Sequence, residues 1–283
     1  MANGRWPKSN EPLLWDVCAI TCNLVVNVLY LTCLCSKKES IRSKEPIMAH
    51  IALPVAILVL CVDAWIFGLQ VSKEWYSAIM APIFVASALD SGLSLLILSL
   101  MGLNKTGLFE VEEKTISSLA RLLAVFIAVN AFFIGCECLT MAYPGAKGAE
   151  ALAIMTGGIT APFFWMEIIG GLLIPFLLMA FEKNRANMGI IVLSSMLVIV
   201  GVACKRIWLL FTSFYEFNIS GAPGVISGSS QTRAASRMDA FSLVGTYSHT
   251  WTEITVAVGV IALCVLAYIV LSRKLFAICC RRQ

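Results

Sequence analysis

The chain has 283 residues, of which 59% are hydrophobic and 13% charged, with a formal net charge of +4 and a mean hydropathy of +0.85. A soluble domain carries about twice that share of charge and less apolar residue, so a water-soluble globule could not hide this much apolar surface. The composition excludes a soluble enzyme, a nucleic-acid binder and a disulfide-stapled secreted domain, and leaves an integral membrane protein.

Apolar runs long enough to cross a bilayer, about 20 residues each, fall near 13–35, 47–71, 77–103, 116–142, 155–181, 188–213 and 251–273. The runs are too long for strands and lack period-2 alternation, so an all-α bundle of about seven transmembrane helices is predicted, forming one membrane domain over 1–283. The first ten residues, MANGRWPKSN, are polar and do not read as a cleavable signal. Trp15, Trp75 and Trp251 stand near predicted interfaces as belt anchors. Pro54, Pro82, Pro162 and Pro175 stand inside spans, where proline can kink a helix around a cavity. Asn23 and Asn27, four apart, share a face of the first helix, either for a ligand or as interhelical glue.

Loops 36–46, 104–115, 182–187 and the segment from Arg273 onward carry 4, 2, 2 and 4 Lys or Arg, twelve in all. The N-terminal tail, 72–76, 143–154 and 214–250 carry 2, 1, 1 and 2, six in all. The positive-inside rule then predicts a cytoplasmic C-terminus and an outside N-terminus. The Gly-, Ser- and Ala-rich loop 214–250 also falls outside, as an ordered cap or a docking surface.

Ionisable groups inside spans are costly and are functional candidates by default. Here they are Asp16, Asp63, Asp90, Arg121, Glu137, Glu167, Lys205, Arg206 and Glu253. Counted along the helices, Asp16 and Glu253 fall at outer ends. Asp63, Glu137 and Lys205–Arg206 fall in the outer third, Asp90 and Glu167 near mid-depth, and Arg121 toward the cytoplasm. A polar pocket near the outer surface, with carboxylates leading inward from it, suits proton transfer. Packed salt bridges are the alternative reading, with Lys205–Arg206 neutralising Asp63 or Glu137.

The 11 cysteines form no CxxC pair. Cys279–Cys280, beside Arg281 and Arg282, could be acylated, although unmodified thiols are favoured. The two histidines, His50 and His249, fall toward opposite surfaces and cannot jointly ligate one haem. HExxH, a Gly-rich phosphate loop and a lysine deep in the last span are all missing from the sequence, so no metal site is expected on this chain.

The stretch PLLWDVCAITCNLVVNVLYL (12–31) resembles the Pro-x-x-Trp-Asp helix of the NrfD/PsrC family, the membrane subunits of polysulfide reductase, nitrite reductase and related quinone-linked complexes. LPVAILVLCVDAWIFGLQ (53–70) and WYSAIMAPIFVASALDSGLSLLI (75–97) are similar to the next helix pair. FFWMEIIGGLLIPFLLM (163–179), LVIVGVACKRIW (197–208) and TWTEITVAVGVIAL (250–263) follow in the family's order. Two departures stand out. Members commonly have eight or ten spans, so seven spans beginning at the Trp-Asp helix imply a shortened member or a sequence lacking leading helices. Relatives also often carry a His near the position of Leu60, absent here.

The resemblance implies a haem-free anchor of the bacterial or archaeal cytoplasmic membrane. Such an anchor exchanges electrons between a quinone, menaquinone or ubiquinone, and a ferredoxin-like iron–sulfur subunit that serves a catalytic, often molybdopterin, subunit. On that reading Asp63, Asp90, Glu137 and Arg206 are candidates for a quinone pocket, and Asp90, Glu167, Asp16 and Lys205 for a proton path. The partner subunit would dock on the face carrying 214–250. A proton-coupled transporter or channel is the alternative, in which the same carboxylates carry protons through broken helices or inverted repeats.

Overall fold

The computed structural model describes residues 12–36, 38–68, 77–107, 110–143, 152–153, 155–158, 160–215 and 250–280. Seven helices in it are long and apolar enough to cross a membrane, and the described residues contain no strand. They are α1 (Pro12–Cys35), α2 (Glu45–Gly68), α3 (Met80–Lys105), α4 (Glu113–Ala142), α5 (Ala161–Ala180), α6 (Met188–Tyr215) and α7 (Trp251–Cys280). In hydrocarbon each backbone N–H and C=O must be satisfied within its own segment, which is why these apolar runs resolve into helices. The protein is an integral, multi-pass membrane protein.

Most helix bounds differ from the apolar runs by a few residues: α4 begins at Glu113, before its run, whereas α3 begins at Met80, inside its run. Among the helix starts the largest shift is at α5, which begins at Ala161 rather than near 155; α7 in turn runs on to Cys280, past 273. Gly157 and Gly158 precede it and Pro162 occupies its first turn, where the missing N–H of proline is not needed. The face at which α1 begins is called the near face below, and the opposite one the far face. Most of loop 214–250, Trp75, His249, Arg281 and Arg282 lie outside the described residues, as do the side chains of Cys279 and Cys280.

The chain assembles as a helix pair, a four-helix bundle and a peripheral helix. α1 packs along α2, and α2 packs on α3. α3, α4, α5 and α6 surround a common interior, with α3 against α4 and α6, and α5 against α4 and α6. Toward the far face this interior is apolar, built from Ile97, Leu123, Ile127, Met179, Ile191 and Val198. Toward the near face Ala64, Met80, Phe84, Phe164 and Trp208 form a second cluster that joins α2 to the bundle. α7 is exposed along its described length and touches α3 through Tyr268 Oη, which donates to the Ser99 carbonyl at 3.2 Å.

Lipid supplies no hydrophobic drive to hold helices together, so close backbone contact and interhelical polar bonds must do it. One crossing is decisive. A Cβ placed on Gly201 of α6 would lie 2.4 Å from Gly171 Cα of α5, and one on Gly171 would lie 2.6 Å from Gly201 Cα. Only glycine at both positions lets the two backbones meet. At the far end of α3, Gly107 takes φ 69°, the left-handed geometry that ends the helix.

Candidate functional site

The centre of the site is an irregular turn of α5. Met166–Leu173 is a π-helix set between α-helical Ala161–Trp165 and Ile174–Ala180. Pro175 has no N–H, so the carbonyl four residues back, on Gly171, cannot receive its α-helical bond. The Gly170–Gly171 pair lowers the cost of the distortion further. π segments of this kind concentrate at functional sites.

Glu167 stands in the π turn and points into the bundle. Its Oε1 lies 3.2 Å from Lys205 Nζ of α6, with both side chains no more than 3% exposed. Its Oε2 accepts a hydrogen bond from Trp208 Nε1 at 2.5 Å. Lys205 and Trp208 are three apart and so share a face of α6. The indole is held in turn by an edge-on contact with Phe164, at 5.7 Å between centroids. Four residues separate Glu167 from Gly171 on α5, and four separate Gly201 from Lys205 on α6. The glycine crossing therefore lies one turn from the ion pair and sets its distance.

A second polar link joins α3 and α4, where Asn130 Nδ2 donates to Asp90 Oδ2 at 2.6 Å with both residues buried. Lys205 is also within electrostatic reach of Asp90 and Glu137. Lys205 thus faces three carboxyl groups, Asp90, Glu137 and Glu167. Asp90 Oδ1, Asn130 Oδ1, Ser94 Oγ, Ser194 Oγ and Ser195 Oγ are buried without a hydrogen-bond partner among the described residues. Unsatisfied buried atoms cost about 1–3 kcal/mol each, so the interior is polar well beyond what packing requires.

Arg206 follows Lys205, yet one residue turns a helix by about 100°, and the two cations leave α6 in different directions. The Arg206 guanidinium lies 3.8 Å over the Phe84 ring of α3 and within electrostatic reach of Asp63 on α2 and of Glu167 on α5. Asp63 and Asp16 of α1 are close enough for a carboxyl–carboxyl hydrogen bond. Asp16, Asp63 and Arg206 are all partly exposed, so this cluster opens between the α1–α2 pair and the bundle, whereas the Glu167–Lys205 cluster is sealed inside it.

The sequence candidates therefore divide into two groups. Asp90, Glu137, Glu167 and Lys205 come together in the bundle interior; Asp16, Asp63 and Arg206 come together beside it. Glu167 is expected near mid-depth but stands level with Lys205, because α5 begins later than its apolar run and leaves Glu167 about 9 Å from the helix start. Lys205 pairs with Glu167 rather than with Asp63 or Glu137. Arg121 lies apart on α4. Glu253 accepts from the Thr250 N–H at 3.0 Å and so caps the start of α7. Asn27 Nδ2 bonds to Asn23 Oδ1 at 2.9 Å within α1, and His50 Nδ1 to the Pro46 carbonyl at 2.6 Å within α2. Sequence reasoning passes over Asn130 and Trp208, which carry no charge. Their spacing is the available signal: Asn130 is seven before Glu137, and Trp208 three after Lys205.

The sequence model of the family described as "Polysulphide reductase, NrfD" matches residues 2–218. The chain belongs to the NrfD family. Among named relatives, this NrfD-family chain is 30% identical over 280 residues to a protein of Halobacterium salinarum provisionally named as a membrane subunit of dimethyl sulfoxide reductase, covering 91% of this chain and 63% of the relative. It is 26% identical over 199 residues to the Hdr-like menaquinol oxidoreductase integral membrane subunit of Archaeoglobus fulgidus, covering 69% and 50%. It is 29% identical over 185 residues to a subunit of the selenate reductase of Mesobacillus selenatarsenatis, covering 63% and 41%. The matched region thus spans between 41% and 63% of the length of these relatives.

Proposed function

We propose that this NrfD-family chain is the membrane anchor of a respiratory oxidoreductase complex, exchanging electrons between a membrane quinone and an iron–sulfur partner subunit. The observation that carries the reading is the charge-bearing interior of α3–α6, which an inert anchor would not need, in a chain of this family. The name of the Archaeoglobus fulgidus relative supports menaquinol as the substrate class.

The quinone head group would sit at Asp63 and Arg206. That cluster is partly exposed between helices, where a lipid-dissolved molecule can reach it, and the guanidinium supplies donors for a quinone carbonyl. Phe84 and Phe67, with ring centroids 5.7 Å apart, offer an apolar wall beside it. Oxidising a quinol releases two electrons and two protons. The electrons would pass to the partner docked at the near face, and the protons to Asp63 and Asp16. Asp90, Glu137 and Glu167, with Asp63 and Asp16 beside them, outnumber the cations Lys205 and Arg206 and leave exchangeable proton sites deeper in the bundle, so Glu167, Lys205 and Asp90 would form a path toward the far face, followed by Ser94 and Ser194. Under this reading the N-terminus is outside and the C-terminus cytoplasmic.

Purification of the tagged chain from its native membranes tests the assembly. Co-purification of an iron–sulfur protein and a catalytic subunit, with quinol-dependent reduction of their centres, is the expected result. Recovery of the chain alone, with no quinol-linked activity in any fraction, would sink the reading. A transporter would instead move a solute in vesicles holding this chain by itself.

A further inference from the structure

A crevice of about 570 Å³ opens on the lipid-facing side between α4 and α5, away from both polar clusters. Its apolar lining includes Ala124, Ala128 and Phe132 of α4 and Phe176 of α5, and its far-face end holds Arg121 and Arg185. Arg121 is exposed on a membrane helix, and among the described residues the ion pairs formed within 4 Å do not include it. Arg185 donates from Nη1 to the Met179 and Ala180 carbonyls at 2.6 and 2.9 Å. That arrangement caps α5, fixes the guanidinium at the crevice mouth, and leaves Nε and Nη2 uncommitted among the described residues.

We propose that this crevice is a binding site for an anionic phospholipid, with the phosphate between Arg121 and Arg185 and one acyl chain along Ala124, Ala128 and Phe132. Two cations at one lipid-facing crevice, neither within 4 Å of a carboxylate among the described residues, call for an anion, and planar guanidinium groups match phosphate geometry. The small side chains at 124 and 128 hollow the helix surface. From Arg121 to Phe132 the furrow runs about 16 Å along α4, close to the hydrocarbon depth of one leaflet. A neutral quinone head would leave both cations unmatched. The inference rests only on the chain crossing a bilayer, not on its proposed redox role.

The test is native mass spectrometry of the detergent-solubilised full chain, equilibrated with equal amounts of phosphatidylglycerol and phosphatidylcholine of the same acyl chains. The wild type should retain phosphatidylglycerol with a preference of about 30-fold, falling to about fivefold in Arg121→Gln, at the strength typical of one arginine near a headgroup. Arg121→Lys should recover most of the preference, which separates charge from misfolding. Ala128→Trp, which fills the furrow but keeps both arginines, should lose the bound lipid. Equal retention of the two lipids, an unchanged preference in Arg121→Gln, or displacement by millimolar inorganic phosphate would overturn the proposal.

Discussion

The Glu167–Lys205 pair invites a double-mutant test, because its two members should be far more costly to break singly than together. At 3.2 Å and an effective dielectric of about 20, their attraction is about 5 kcal/mol. Burying both charges offsets most of that gain. Lys205→Met removes the attraction but keeps the carboxyl buried, which is expected to cost about 3–5 kcal/mol. Lys205→Met with Glu167→Gln removes both charges and keeps an acceptor for Trp208 Nε1. That double variant should lie within about 1 kcal/mol of the wild type, since neutral replacement of a buried pair is often nearly free. The assay is unfolding of the full chain by SDS titration in mixed micelles, followed by circular dichroism. If the single and double variants lose the same stability, the two residues do not depend on one another and the reading of the site is wrong.

Other outcomes follow from the same geometry. Gly201→Ala forces α5 and α6 apart at their crossing and should cost about 1–3 kcal/mol, as overpacking does; Gly259→Ala, with open space around its Cβ, should not destabilise the chain in the same titration. Trp208→Phe leaves Glu167 Oε2 without its donor and should cost about 1–3 kcal/mol, measured in the same way. Asp90→Asn and Glu167→Gln should slow proton movement coupled to quinol oxidation in a reconstituted complex, while unchanged proton movement would make both residues structural. Reporter fusions in 108–109 and 144–151 should read cytoplasmic and outside, respectively; the reverse pattern would invert the topology.

Seven helices were legible in the sequence because lipid leaves an apolar run of this length no other structure. The helix ends were less legible. α5 starts at Ala161 because glycines and a proline break the backbone there, which an apolar count does not register. The charged members of the site stood out by their cost in hydrocarbon, but their partners did not. Lys205 and Arg206 are neighbours in sequence, and only the helical turn between them shows that one faces Glu167 and the other Asp63 and Phe84. Asn130 and Trp208 carry no charge and look ordinary in an apolar run, yet each completes a hydrogen bond to a buried carboxyl group. The π turn was hidden because a 3.6-residue period is too coarse to show one extra residue; Gly170, Gly171 and Pro175 were its trace.

The central claim is that quinone chemistry takes place at Asp63 and Arg206, outside the sealed bundle interior. It is tested most directly by quinol-dependent electron transfer in the isolated complex, compared between wild type, Arg206→Met and Asp63→Asn, with a soluble dye donor as a control for the partner subunits. The account predicts that each variant loses quinol-dependent rate by about tenfold or more, the effect of one charged hydrogen bond, while the dye-linked rate is unchanged. Wild-type quinol rates in both variants would contradict it.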